Sequence, residues 1–327
     1  MTIQITIIGL RQIGASIGLA LKDHQELVKR TGHDRESSVA RQAEKLGAVD
    51  QVSYNLPASI RQADVVLLTE PLDDLIKTLE LIAPDLHEGA VVMDTSPVKR
   101  GLMEQAARLL PAGRHYVSLL PSINPAYLLE PAHGIEAAHP DLFQKGVILI
   151  AQPYGTNPEA IKLAADLTSL LGATPLFTDD VEADGLSATV NQLPAALAAA
   201  LMNATTEQPG WREARKLGGA AYALASAPLA GVEAGAVAKA MLMNKDNLLR
   251  WLGYLSETLD ELRDVLQDDN EAELKERLEH ASAARLDWLK QREAASWNDA
   301  GAPEQRNPSA GDVLNRWIGV RRPGKDH

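Results

Sequence analysis

The feature that most constrains this chain lies in its first 35 residues. A run of mostly β-branched residues, Ile3–Ile8, stops at Gly9, and a helical pattern begins near Gly14. A second short strand ends at Gly32, shortly before Asp34. Strand, glycine turn, helix, strand and terminal acid, in this order, form the βαβ unit that binds a dinucleotide. We therefore predict a nucleotide site here; the alternative is a unit of the same shape that binds no nucleotide.

Each position in this unit has a physical role. Gly9 lets the strand turn tightly, Gly14 lets helix and strand pack closely, and the start of the helix offers N–H groups to a pyrophosphate. Arg11 stands where a second glycine usually lets the phosphates approach the backbone. It is either a charge partner for the pyrophosphate or a turn residue that faces solvent and narrows the site. The predicted cofactor-binding residues are Gly9, Arg11, Ile13, Gly14, Asp34, Arg35, Thr69 and Asp94.

The residues after the second strand bear on which dinucleotide binds. A carboxylate at Asp34 can accept hydrogen bonds from the ribose hydroxyls and repels a 2′-phosphate, which favours NAD. Arg35, its neighbour, can accept that phosphate, so NADP is possible. We expect NAD.

Composition excludes several classes of function. The 44 acidic residues outnumber the 32 basic ones, for a net charge of −12, which argues against a nucleic-acid partner. The chain has no cysteine, so it has neither disulfides nor thiolate chemistry, and we predict no metal centre. We see no cleavage signal and no apolar run near the roughly 20 residues that span a bilayer, so we expect a cytoplasmic protein without a membrane partner.

The pattern along the chain predicts two domains of different class. Continuous apolar strands alternate with helices in residues 1–179, which predicts a Rossmann-type, doubly wound, mainly parallel sheet. Residues 180–296 read as an all-α domain and 297–327 as a loosely structured tail. Ligands of such sheets lie at the carboxyl ends of the strands, here the loops after Ile8, Leu68, Asp94 and Leu120.

Leucines recur at steps of four and three along one predicted helix of the second domain. Such a seam packs against another helix, either in the core, which we favour, or across a dimer contact. The residues are Leu248, Leu252, Leu255, Leu259, Leu262 and Leu266.

Six segments, in the right order, resemble the prephenate and arogenate dehydrogenase family. They are residues 7–17, 92–99, 134–143, 190–194, 210–213 and 244–246. The resemblance implies oxidation of a ring carbinol by hydride transfer to NAD(P)⁺ with loss of carbon dioxide, in tyrosine biosynthesis. It also implies a homodimer formed through the helical domain and a dicarboxylate substrate.

The chain departs from the family at the residues that carry the chemistry. The family places a histidine before a proline at the end of the strand that here reads Val117 to Pro121, and this chain has Leu120 there. A leucine can neither accept a proton nor hydrogen-bond a hydroxyl. Gln192 replaces a second histidine, and Pro97 stands where the family's serine is expected, one place after Ser96.

The remaining polar residues of these segments supply the candidates. His133 and, less strongly, His139 are the candidate bases, while Ser96 and Gln192 can hydrogen-bond a substrate. The cations for the substrate carboxylates are Arg212, Arg215 and Lys216. The alternative for each is a residue without a role in the reaction: a solvated surface residue or, for Gln192, a polar residue at the domain cleft.

Three hypotheses remain on the sequence alone. The first is a prephenate or arogenate dehydrogenase with altered catalytic side chains. The second is a dehydrogenase of the same fold for another hydroxy acid, and the third is a catalytically inactive NAD-binding protein. Leu120 and Arg11 motivate the last two.

Overall fold

The computed structural model describes residues 2–295 and Trp297. Two compact units divide the chain. The first comprises the chain up to Asp180 and the described residues from Ala283 onward, and the second is Val181–Ser282.

An eight-stranded sheet forms the centre of the first unit, in the order β3-β2-β1-β4-β5-β6-β7-β8. The strands are β1 (Ile3–Ile8), β2 (Val28–His33), β3 (Gln51–Val52), β4 (Val65–Leu68), β5 (Val91–Asp94), β6 (His115–Pro121), β7 (Val147–Ala151) and β8 (Thr174–Thr178). All neighbouring pairs are parallel except β6 and β7. The predicted mainly parallel, doubly wound sheet is confirmed.

Helices connect the strands and cover the sheet. They are α1 (Gln12–Ala20), α2 (Ser37–Leu46), α3 (Leu56–Ile60), α4 (Leu72–Ile82), α5 (Arg100–Leu109) and α6 (Pro158–Leu170). The central strands β4 and β5 are buried along their whole length, because helices on both faces exclude water from an unbroken apolar run. Chain order reverses between β1 and β4, so the loops after these two strands diverge and leave a crevice at the carboxyl end of the sheet.

The second unit is helical. Its helices are α7 (Asp180–Ser187), α8 (Leu193–Thr206), α9 (Trp211–Ala214), α10 (Ala220–Ser226), α11 (Ala234–Met243), α12 (Lys245–Gln267) and α13 (Glu271–Ala294). A π-helical segment, Ala188–Gln192, joins α7 to α8. Pro194 lies two residues after this segment. Because proline cannot donate a backbone hydrogen bond, regular α-helical bonding is interrupted beside it.

The α7–α8 stretch bears on the expectation that no segment of the chain spans a bilayer. By length and composition alone, the 27 residues from Asp180 to Thr206 could span a bilayer. Leucines and alanines supply most of this hydropathy, and they are concentrated in residues 193–202. In its most apolar window 28% of the residues are buried. Core and interface helices of proteins outside membranes have the same composition.

The leucine seam of α12 is more exposed than a core interpretation requires. Leu248 is buried, but Leu259 and Leu266 are 52% and 55% exposed. Burial within the described chain therefore explains only one end of the seam.

The end of α13 groups with the first unit, whereas the sequence placed residues up to 296 in the helical domain. Arg292 explains the difference, since its guanidinium donates to Ser122 Oγ and to the carbonyl of Ile123, in the connection between β6 and β7. Apart from Trp297, the predicted tail lies outside the described residues.

Candidate functional site

The glycine turn after β1 is packed against the loop after β4. Gly9 has a φ of +89°, and a Cβ there would lie 2.8 Å from the backbone nitrogen of Glu70. A Cβ on Gly14 would lie 1.9 Å from the carbonyl oxygen of Gly9. The hydroxyl of Thr69 donates to the carbonyls of Ile8 and Gly9. Both glycines are therefore required by close approach, and one of them also by its backbone conformation.

Helix α1 begins at this turn with its N-terminus open to an anion. Arg11, the N-cap residue, makes no side-chain cap, and the first turn contains no acidic residue. The helix dipole and the first N–H groups favour a phosphate at such an end. Ile13 packs against the core on the other side of this turn.

Asp34 holds the glycine turn as well as facing the pocket. One carboxylate oxygen accepts from the backbone N–H of Leu10 at 2.8 Å, and the other accepts from the N–H of Glu36 at 2.8 Å. A carboxylate oxygen can accept more than one hydrogen bond, so a ribose hydroxyl can still bind here. The sequence predicted that Asp34 faces the nucleotide pocket, but it did not predict that Asp34 also fixes the glycine turn.

The two predicted arginines are both in ion pairs. Arg11 Nη2 lies 2.9 Å from Glu36 Oε1, and Arg35 pairs with Asp74 of α4. Each guanidinium therefore has a carboxylate beside it. The small pocket at this end of the sheet is lined by Gly9, Arg11, Asp34, Arg35, Thr69, Glu70, Pro71 and Asp74.

Glu70 belongs to this pocket, and sequence reasoning missed it. Burial, reinforced by the negative charges of Asp74 and Asp34, raises its pKa to about 7, against the opposing effects of a Thr78 hydrogen bond and Arg35. Its Oε1 is enclosed and accepts no hydrogen bond. Its position in the loop directly after β4 could have identified it from the sequence, because loops at the carboxyl ends of parallel strands contact ligands.

The loop after β5 is fixed by a buried polar cluster. Asp94 accepts from the backbone N–H of Ser96 at 2.8 Å and from the hydroxyl of Tyr116 at 2.7 Å. Lys99, fully buried, donates to the carbonyl of Leu119 at 2.7 Å and to that of Ser96. Burial and the charge of Asp94 raise the pKa of Tyr116 well above its usual value. The cluster joins the ends of β5 and β6.

Ser96 is engaged within its own loop. Its hydroxyl donates to the carbonyl of Val98 at 2.8 Å. The side chain is buried, so contact with a substrate would require that this bond be exchanged.

At the end of β6, where the family has a histidine, this chain has a leucine that pairs with the neighbouring strand β7. Leu120 is the penultimate residue of β6 and pairs with Leu149 of β7. Of the two candidate bases in the following connection, His133 is exposed, and His139 is held in place. His139 Nε2 lies 2.9 Å from each carboxylate oxygen of Glu130.

Two further contacts orient His139. Its ring stacks on Tyr127 with ring centres 4.0 Å apart, and its backbone N–H donates to Ser16 Oγ of α1 at 3.0 Å. From the sequence, His133 was the stronger candidate and His139 the weaker one. The pairing of His139 with Glu130 cannot be seen in a linear pattern.

The remaining candidates lie in the helical unit. Gln192 is buried; its Nε2 donates to the carbonyl of Ala240 at 3.4 Å, and its Oε1 accepts no hydrogen bond. Arg212, Arg215 and Lys216 are exposed on and just after α9. Glu213 pairs with Lys216 and lies 4.0 Å from Arg212.

Comparison with known proteins identifies the family of the first unit. Residues 17–176 match the family model described as prephenate dehydrogenase, nucleotide-binding domain. Through this domain, the chain belongs to the prephenate dehydrogenase family. The family resemblance inferred from the sequence motifs is confirmed, and the first unit is a nucleotide-binding domain.

Relatives extend the similarity beyond this domain. A prephenate dehydrogenase of Bacillus subtilis is 24% identical over 202 residues, which are 62% of this chain and 53% of the relative. The chain thus spans about half the length of that protein. A cyclohexadienyl dehydrogenase of Zymomonas mobilis is 26% identical over 294 residues, covering 86% of this chain and 94% of the relative.

Solved structures show the same fold. Prephenate dehydrogenase from A. aeolicus, in complex with hydroxyphenyl propionate and NAD⁺, has a TM-score of 0.75 at 20% identity, covering 88% of this chain and 98% of that one. An arogenate dehydrogenase from Synechocystis has a TM-score of 0.67 at 23% identity, covering 88% of this chain and all of that one.

Proposed function

We propose that this protein is a nicotinamide-dependent dehydrogenase that oxidises prephenate or arogenate with loss of carbon dioxide, in tyrosine biosynthesis. The observation that carries the proposal is the family match over 17–176, in a unit whose turn keeps the close-packed Gly9 and Gly14. The relatives named above are prephenate, arogenate and cyclohexadienyl dehydrogenases.

The residues at the turn suit a dinucleotide, and we propose NAD. The start of α1 would hold the pyrophosphate, and Asp34 would accept the ribose hydroxyls. A nicotinamide, when bound, accepts the hydride from the ring carbinol. The protein's own part is to fix the loop after β5, which Asp94 and Lys99 do, and to remove the hydroxyl proton.

We propose His139, oriented by Glu130, as the base that takes this proton. With Nε2–H donating to the carboxylate, Nδ1 is left as the acceptor. A histidine held by a carboxylate on one side and stacked on Tyr127 on the other is the arrangement that positions a general base. His133 has the weaker claim because it is exposed.

Exposed cations would complete the site. We propose that Arg212, Arg215 and Lys216 meet the substrate carboxylates, because a dicarboxylate requires fixed positive charge. Gln192, whose buried Oε1 has no hydrogen-bond partner, would accept a hydrogen bond from the substrate.

Leu120 supports a second candidate function. If no residue replaces the histidine absent from this position, the protein binds NAD without oxidising prephenate or arogenate, or it acts on another hydroxy acid.

The pH dependence of kcat/KM tests the proposed base. With prephenate or arogenate as substrate, His139→Asn should lower kcat/KM by about 100-fold or more and abolish the acidic limb of the profile. Glu130→Gln should shift that limb, while His133→Asn is the matched control and should leave it unchanged. An unchanged profile in His139→Asn would exclude this residue as the base.

We also propose that the protein is a homodimer formed through the helical unit. The exposed leucines of α12 form the contact surface. The helical stretch from Asp180 to Thr206 adds apolar area to it, because most of its apolar part is not buried.

A further inference from the structure

The pocket at the ends of β1, β2 and β4 contains more negative charge than its Rossmann pattern requires. Asp34 follows β2, Glu70 follows β4, and Asp74 lies in the first turn of α4. Asp74 is paired with Arg35, and Arg11 is paired with Glu36. Two carboxylates therefore remain whose charge is not matched by a paired guanidinium, Asp34 and Glu70.

These two carboxylates differ in how they are satisfied. Each carboxylate oxygen of Asp34 accepts a hydrogen bond from a backbone N–H, and these two hydrogen bonds stabilise its negative charge. Glu70 has one enclosed oxygen without a partner. A charge in such a poorly solvated position acts more strongly on its surroundings than one in water, because the local dielectric constant is lower.

We propose that Glu70 sets the cofactor preference of this pocket, because its carboxylate excludes a 2′-phosphate from the adenosine ribose. The inference rests on the proposed nicotinamide cofactor and adds a determinant to Asp34. A phosphate brought to this pocket would carry between one and two negative charges. It would lie near Glu70 and Asp34, which both line the pocket, while both nearby arginines already form ion pairs.

The preference should then depend on pH. The pKa of Glu70 is raised to about 7, so its carboxylate is largely neutral at pH 6 and charged at pH 8. The charged groups that face it are Asp34 and Arg35 after β2, Arg11 after β1, and Asp74 on α4. NADP should therefore be disfavoured more at pH 8 than at pH 6.

The test is calorimetric titration of the whole protein with NAD and with NADP, at pH 6 and pH 8. For the wild type, the ratio of the NADP dissociation constant to that of NAD should rise about tenfold between these pH values. Glu70→Gln keeps the shape of the side chain and removes the charge, and it should lower the ratio at pH 8 about tenfold. The 2′-phosphate itself titrates near pH 6, but equally in both proteins, so the difference between them isolates Glu70.

Glu80→Gln is the matched control, because it removes a glutamate charge from the exposed side of α4. It should behave as the wild type. A wild-type ratio in Glu70→Gln at pH 8, or the same pH dependence in both proteins, would overturn the inference. If NAD binds but prephenate and arogenate are not oxidised, the proposed dehydrogenase fails while Glu70 is still tested. If neither nucleotide binds, the inference fails together with the cofactor assignment.

Discussion

Single residues in the glycine turn are constrained by backbone atoms, which cannot move aside. A methyl group on Gly14 would lie 1.9 Å from the carbonyl oxygen of Gly9 and 2.4 Å from the hydroxyl of Thr69. Gly253, in the middle of α12, has open space around its Cβ position and is exposed. The same substitution should therefore have opposite effects at these two positions.

We expect Gly14→Ala to lower the free energy of unfolding by about 3 kcal/mol and to weaken nucleotide binding, because the turn must shift. Gly253→Ala should raise the free energy of unfolding by about 0.5–1 kcal/mol, because alanine favours a helix. Urea denaturation measures both. Equal stability of Gly14→Ala and the wild type would contradict the close packing of the turn.

Glu70 should make the stability of the protein fall with pH. Its pKa is about 7 in the folded chain and near 4.5 in the unfolded chain, so the folded state favours the protonated form. This contribution is complete below pH 4.5 and is lost as the pH rises to about 7, by on the order of 2–3 kcal/mol. Denaturation between pH 4.5 and 8 should show the loss in the wild type and not in Glu70→Gln. A parallel pH dependence in both proteins would show that Glu70 is not responsible.

The close packing at Gly9 and Gly14 and the position of Asp34 after β2 follow from the spacing of a βαβ unit, which the sequence itself displays. The raised pKa of Glu70 and the pairing of His139 with Glu130 depend on which loops meet in space, and the linear pattern contains no such information.

Among the secondary-structure elements, α13 has the most unexpected role. It starts in the helical unit, but Arg292 near its end donates to Ser122 and Ile123, directly after β6. Burial lowers the pKa of Arg292, and its guanidinium also lies 5.4 Å from the ring centre of Trp297. The connection that contains both candidate histidines is thus held at its start by the end of α13.

Arg292→Met should therefore lower the free energy of unfolding by about 2 kcal/mol, because it leaves the Ile123 carbonyl without its charged donor. Hydrogen exchange in residues 122–126 should become faster. Arg285→Met, at an exposed position of the same helix, is the control and should change neither. Equal effects of the two substitutions would mean that Arg292 does not anchor this connection.

The long elements were predicted from the sequence and the short ones were not. Unbroken apolar runs predicted the central strands, which end at Leu68 and Asp94, because a strand covered on both faces is apolar along its length. The two-residue strand β3 and the five-residue helix α3 are too short to show a period. The grouping of the end of α13 with the first unit leaves no mark in the sequence, because the contacts of Arg292 with Ser122 and Ile123 join residues about 170 positions apart.

For the whole molecule, the exposed leucines of α12 predict a dimer. Replacing Leu259 and Leu266 together by glutamate should halve the molar mass measured by light scattering, because two charges would be buried in the contact. Leu81→Glu is the control, since Leu81 is equally exposed but lies on α4. A wild-type protein that is already monomeric would contradict the proposed contact.

We propose that a chain with leucine at position 120 still performs the family's reaction. This is tested by incubating the wild-type protein with NAD and either prephenate or arogenate, and measuring NADH and carbon dioxide. We expect equal amounts of NADH and carbon dioxide with one of these substrates. Binding of NAD with no NADH formed from either substrate would contradict it.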